Sequence, residues 1–450
     1  MGEVIFSGLH ATLAQVDLKS GIHFSPRAFT AIVILIHIFF AELFVGFAIA
    51  SPVLQAWGAR TGSARMDKLA HSMIRFNVLT FSTGATFAVL FLVLLVGFYP
   101  QVTASLFTHF FYFFPVIAMI SMIAALWSMY SYYYKWDRYS VLNKRRHIAI
   151  GFLSGFAIWV WMVILSGVDT FMVDGGGPNG KLTSGNIASV GSAFKGIFNP
   201  MLTEMVLHRT VANLSWPAFA LAAWAAFRYM RSKSAEDKAF YDWASSLGLT
   251  WGVGFLLLQP FVGFGLAYAM KQAQPANPAN PQYPGSFDRL MGEGPQAGSF
   301  TSHLLYFNLI LVVALFVLSN LGMYLGAVRH PDRGGQVAIR AFGLVATIAG
   351  LYSIAPPAMF PVFWVRYIAM AVMAVATFGT LVAYVRGRLR FRYGSPSAWY
   401  RVTIMALGVI AATTALSMGL MKSNSRYPYT VYNQPGYTVN ESPPPTNFGK

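Results

Sequence analysis

Ten stretches of about 20 or more mainly apolar residues follow one another along the chain, and no other feature limits its folding as much. Each is long enough to cross the ~30 Å hydrocarbon core of a bilayer as a helix. They run over 29–57, 70–99, 105–134, 147–172, 202–230, 240–270, 302–328, 336–355, 359–385 and 400–421. The eighth is short and ends at Pro356-Pro357. In lipid the backbone must satisfy its own hydrogen bonds, which a helix does within one segment. The predicted fold class is therefore all-α integral membrane, with about ten transmembrane helices. Composition agrees. Of 450 residues, 56% are hydrophobic and 10% charged, where a soluble domain carries about a quarter charged residues. The mean hydropathy is +0.53. The apolar runs leave no room for a soluble domain.

The charge is strongly basic, +17 at pH 7, but its placement excludes a nucleic-acid reading. Lys and Arg gather in alternate loops. Arg60, Arg65 and Lys68 follow the first span, and Lys135, Arg138, Lys144, Arg145 and Arg146 follow the third. Arg228, Arg231 and Lys233 follow the fifth, Arg329 and Arg333 the seventh, and Arg386, Arg388, Arg390 and Arg392 the ninth. Basic loops stay on the inner side. The expectation is a multi-pass protein of the bacterial inner membrane with both termini on the periplasmic side. Residues 1–28 lack the basic start and short apolar core of a signal peptide and are expected to form an external segment. The loop 271–301 and the tail 422–450 are rich in Pro and Asn. Such composition builds no core by itself, so both are expected to lie against a partner or over the membrane face.

The chain has no cysteine. Disulfides, thiolate metal sites, iron–sulfur clusters and covalent c-type haem are thereby excluded. Any redox cofactor falls to His, Met, carboxylate or Tyr. Ionisable residues within spans are functional candidates. His37 and Glu42 lie in the first span, and His208 follows Glu204 by one turn near the outer end of the fifth. His109 and His303 sit at outer ends, His71 and His147 at inner ends. For the interfacial His71, His147 and His303 the simplest role is a helix–helix hydrogen bond. His37 and His208 lie toward one membrane face, and imidazole is the usual protein ligand of b-type haem iron. Glu42 is read as a packing acid kept neutral by desolvation, a haem ligand or a proton-relay group. Five residues separate it from His37, so the two stand about 140° apart on the helix.

Several segments then resemble one family. Ser25-Pro-Arg27, with His37 ten residues later and then Gly46, looks like the first helix of cytochrome bd-type quinol oxidase subunit I. Asn199-Pro200 followed by His208 resembles the segment supplying the axial His of that family's low-spin b haem. Lys135-Trp-Asp-Arg-Tyr139 resembles its Gly-Trp-Asp-Arg turn, and Phe363-Trp-Val-Arg366 opens the ninth span in the family manner. The segment from Ser425 to Tyr432 is similar to its Gly-Arg-Gln-Pro-Trp signature. The resemblance implies one to three b haems, with His37 and His208 as iron ligands. It also implies Arg366, Met370 and Arg426 as cofactor-binding residues and Glu42 as a possible proton relay or ligand. Residues 29–270 would form a six-helix haem-binding core, 302–355 an extra helix pair, and 356–421 the last two helices.

The departures are specific. Where the family carries two glutamates on its third helix, this chain has Ile117 and Ala125. Gln274-Pro275 of the quinol loop is present, but the family's following Lys and Glu read Asn277 and Gln282. The Met expected two residues after Arg366 is Ile368, with Met370 two further on, and Glu42 stands in place of a proline. The expected function is a haem-b electron-transfer subunit of a respiratory complex. It would work between a quinone pool or membrane partner and an external c-type cytochrome, among other membrane subunits and lipid. A terminal quinol oxidase and a haem-free scaffold are the alternatives.

Overall fold

The computed structural model describes residues 26–174, 182, 187–274, 285, 287, 300–328, 333–355, 365–388, 391–426 and 430–432. The segment before Pro26, Asn277 and Gln282, Phe363 and Trp364, and the tail beyond Tyr432 lie outside the described residues. Among the described residues no strand occurs, and ten helices are long and apolar enough to cross a membrane.

The chain divides into two compact units. The first holds residues 1–207, 264–305 and 418–450. It opens with α1 (Pro26–Thr61) and α2 (Ala64–Phe98). Gly62, at φ +67°, ends α1 in the left-handed region. The Ser63 N–H then donates to the Gly58 carbonyl at 3.0 Å, the helix-ending bond of a Schellman turn. The chain thereby reverses, and α2 runs back along α1. Phe44 packs on Phe81 and Phe47 on Phe76, with ring centroids 5.4 and 5.6 Å apart.

The third predicted span, 105–134, is interrupted. A separate helix α3 (Pro100–His109) precedes a π-helical turn (Tyr112–Ala118), and only then does α4 (Met119–Tyr134) begin. Pro115 lies inside that turn; its missing N–H and its ring disturb the regular ladder. Helix α5 (Trp136–Leu142) leads into α6 (Lys144–Asp174). Glycines let α6 approach closely: a Cβ on Gly155 would stand 2.9 Å from the Ala48 carbonyl oxygen, and one on Gly151 2.9 Å from Pro52 and the Tyr132 ring. Small residues at such crossings are how membrane helices gain packing contacts. After α7 (Val190–Ile197), the Asn199 amide donates to the Gly196 and Gly167 carbonyls and to Thr170, at 2.9, 3.1 and 2.8 Å. The Asn199 carbonyl group of that side chain accepts from Met201 N–H at 3.1 Å. This side chain satisfies the turn that enters α8 (Leu202–Arg231).

The second unit comprises 208–263 and 306–417. Its elements are the rest of α8, α9 (Ala235–Leu256), most of α11 (Phe300–Ala327), α12 (Arg333–Ser353), α13 (Val365–Arg388) and most of α14 (Ala398–Ser425). Helix α10 (Gln259–Ala273) begins in this unit and ends in the first. Ser234 caps α9 by accepting from Asp237 N–H at 3.0 Å, with Glu236 and Asp237 in the first turn, where negative charge suits the helix dipole. Two buried hydroxyl pairs, Ser246–Tyr384 at 2.8 Å and Ser245–Tyr400 at 3.1 Å, tie α9 to α13 and α14.

Candidate functional site

His37 lies on α1, half-buried, with Nδ1 3.0 Å from the Gly84 carbonyl oxygen of α2. A carbonyl only accepts, so Nδ1 carries the proton. A neutral ring then keeps its lone pair on Nε2, the form that ligates a metal. Gly84 makes this approach possible, since a Cβ there would stand 3.0 Å from the Cβ of Phe40. Glu42 is also half-buried on α1, but on a different face of the helix.

The end of α14 runs past this part of α1. A Cβ on Gly419 would touch Leu35 and Ile38 at 3.9 and 4.0 Å. Arg27 donates to the Asn424 side-chain oxygen at 2.9 Å. Lys422 pairs with Asp169 of α6, and Arg426 feels the same carboxylate. Burial pulls the Arg426 guanidinium below its ordinary value, and Asp169 works against that pull. Asp169 thus stands with two cations, Lys422 and Arg426, and such guanidinium and ammonium groups suit an anionic partner.

In the second unit, His208 stands half-buried on α8. Gly263 of α10 faces its ring, with a Cβ there at ordinary contact distance, 3.9 Å from Cε1 and Nδ1. Arg366 opens α13 and donates to the Ala355 carbonyl at 3.0 Å. Met370, one turn on, shares its face and is partly buried, whereas Ile368 is 51% exposed. By residue number the candidates divide between the units, His37, Glu42 and Arg426 in the first and His208, Arg366 and Met370 in the second.

Among the described residues no group of three or more His, Cys, Asp or Glu side chains could chelate a metal ion. Haem asks less of the protein, because the porphyrin supplies four nitrogens and the chain only axial ligands. A His with a fixed tautomer, on a helix that the end of α14 passes, fits that demand. The remaining histidines behave differently. His147 is buried and engages both ring nitrogens with Gln55 and the Tyr132 carbonyl. His71 stacks on Trp136, ring centroids 4.7 Å apart. His303 is exposed. His109 is buried on α3 against Phe110 and Phe171, and burial lowers its pKa.

Residues 26–282, more than half of the chain, match the family model described as cytochrome bd terminal oxidase subunit I. The chain belongs to the cytochrome bd terminal oxidase subunit I family. Among solved structures it is similar to one titled as the structure of bd oxidase from Geobacillus thermodenitrificans, with 14% identity, a TM-score of 0.49, and coverage of 89% of this chain and 97% of that one. No curated protein sequence matches. Members of the cytochrome bd family generally bind haems. Against that family pattern, the two positions lacking its glutamates are an exposed Ile117 on the π-helical turn and a fully buried Ala125 on α4. Sequence reasoning passed over Gly84 and Gly263. A lone glycine in an apolar run carries no signal of the carbonyl or ring it will face.

Proposed function

We propose that this bd-family subunit binds b-type haem and transfers electrons within a respiratory complex. His37 and His208 serve as iron ligands. The observation carrying this reading is the Nδ1–H bond from His37 to the Gly84 carbonyl, which orients the ring and leaves Nε2 for a ligand. Arg426 would neutralise haem propionates at the end of α14, and Arg366 would do so at the start of α13. Met370 is the candidate second ligand beside Arg366. The haem, when bound, supplies the one-electron couple. The chain would hold it through His37, whose ring the Gly84 carbonyl orients, and the apolar side chains of α1 and α2 would limit the access of water.

Electrons would pass between a quinone pool or a membrane partner and an external c-type cytochrome, in a bacterial inner membrane with both termini outside. A haem-binding core over 29–270, an extra helix pair over 302–355 and two last helices over 356–421 serve that arrangement. A second reading, a terminal quinol oxidase, draws on the family match and on Glu42, a half-buried acid on the helix of His37. It lacks support from the third-helix positions, which are Ile117 and Ala125.

A reduced-minus-oxidised spectrum of the purified protein tests the proposal. A b-type α-band is expected, and its absence leaves a scaffold role. Quinol-driven oxygen uptake that is lost in Glu42→Gln would favour the oxidase reading.

A further inference from the structure

At the basic-loop end of the first unit, four side chains from three helices form a closed polar cluster. Ser51 and Gln55 come from α1, Tyr132 from α4 and His147 from α6, and all four are fully buried. His147 Nε2 lies 2.8 Å from the Tyr132 backbone oxygen, so Nε2 carries a proton and donates. Nδ1 is then an acceptor in the neutral ring, and Gln55 Nε2 donates to it at 2.9 Å. The Tyr132 hydroxyl donates to Gln55 Oε1 at 3.0 Å. Ser51 donates to the Ala70 carbonyl at 2.8 Å, and its oxygen lies 3.5 Å from the Tyr132 hydroxyl.

Both polar atoms of the Gln55 amide lie within hydrogen-bonding distance of the same ring nitrogen. Its oxygen is 3.1 Å from His147 Nδ1, almost as near as its nitrogen at 2.9 Å. A second arrangement, with a longer Tyr132–Ser51 contact of 3.5 Å, is therefore open to the same four side chains. If Nδ1 gains a proton, it donates to Gln55 Oε1 once the amide has turned. Gln55 Nε2 then donates to the Tyr132 oxygen, and the Tyr132 hydroxyl swings to Ser51, whose own proton stays on Ala70. In both arrangements the hydrogen-bonding roles match around the ring, as a buried network requires.

We propose that Ser51, Gln55, Tyr132 and His147 form a proton-binding site with two hydrogen-bonded states, in which one proton on His147 reverses the Gln55 amide and the Tyr132 hydroxyl. The proton comes from hydronium at the basic-loop end and leaves water behind. The only new covalent bond is Nδ1–H; the amide and hydroxyl protons rotate and are not transferred. The groups facing His147 are Asp67 and His71 of α2, Lys144 of α6 and the Tyr132 phenol of α4. Asp67 also pairs with Lys144, and Asp137 and Arg75 act on His71. Nothing here depends on bound haem.

The test is infrared difference spectroscopy of the full-length protein in lipid nanodiscs, with ring-labelled tyrosine, between about pH 5 and 8, the range of histidine titration. The expected result is a tyrosine C–O band that shifts with the same midpoint as an imidazolium band. Tyr132→Phe removes the shifting tyrosine band. His147→Gln and Gln55→Leu each abolish the pH-dependent tyrosine shift. Tyrosine bands indifferent to pH in the unsubstituted protein overturn the proposal, with no variant needed. A shift that survives either substitution at 147 or 55 overturns it as well.

Discussion

His37 and His147 sit on the same group of packed helices and differ in what is left of the imidazole. His37 on α1 is half-buried and gives Nδ1–H to one carbonyl, that of Gly84. His147 on α6 is fully buried and has both ring nitrogens within hydrogen-bonding distance of α1 and α4. The first ring therefore has a nitrogen to offer a ligand. The second has spent both on its neighbours and acts on the packing of α1, α4 and α6. Two histidines of similar appearance in an apolar sequence thus part company on one hydrogen bond. The same distinction separates a cofactor ligand from a structural group elsewhere, because an axial ligand needs a free lone pair and an oriented ring.

Substitutions should break this contrast in order of size. The largest effect is expected from His37→Ala, which should remove one whole b-type haem per chain by the pyridine haemochrome assay, while His147→Ala leaves the haem count unchanged. His208→Ala should likewise remove one haem selectively. Unchanged haem content in either ligand variant would refute that assignment.

Next comes stability. His147→Leu strands the Gln55 amide and the Tyr132 carbonyl in a buried site, which costs about 1–3 kcal/mol for each buried group left unsatisfied. Denaturation in detergent should show that loss with haem retained. Gly155→Ala forces a Cβ to 2.9 Å of the Ala48 carbonyl, and overpacking of this kind costs about 1–3 kcal/mol. It is expected to lower the melting temperature without altering the spectrum.

Gly84→Ala is a finer probe, because its Cβ would press on Phe40 at 3.0 Å and disturb the bond that orients His37. A small displacement of the α-band and of the haem midpoint potential is expected, with the haem still bound. The smallest effect is a pH slope from His109. Its folded pKa is lowered by burial, so the unfolded chain binds more protons as pH falls below the ordinary histidine value of about 6.5. The stability it contributes is full above that value and is lost as pH falls from it through the folded pKa. His109→Phe should flatten that acid limb in thermal melts.

Much of the architecture was legible from hydropathy. The span predicted over 29–57 is α1, Pro26–Thr61, and that over 202–230 is α8, Leu202–Arg231. The break between His109 and Met119 was not legible, although Pro115 marks it in retrospect. A window average sees the apolar residues on both sides and passes over a local change in helix winding. For the candidate site, the sequence pointed to His37 and His208 by their residue type and depth. It was silent on Gly84, Gly263 and Gln55.

By itself the sequence determined that the chain is a membrane bundle without thiolate chemistry, because length, hydropathy and residue type are local properties that every segment carries alone. Only the tertiary structure decided which imidazole keeps a nitrogen for a ligand. His37 meets a carbonyl 47 residues away and His147 an amide 92 residues away, and partners that distant in the chain become neighbours only when helices pack.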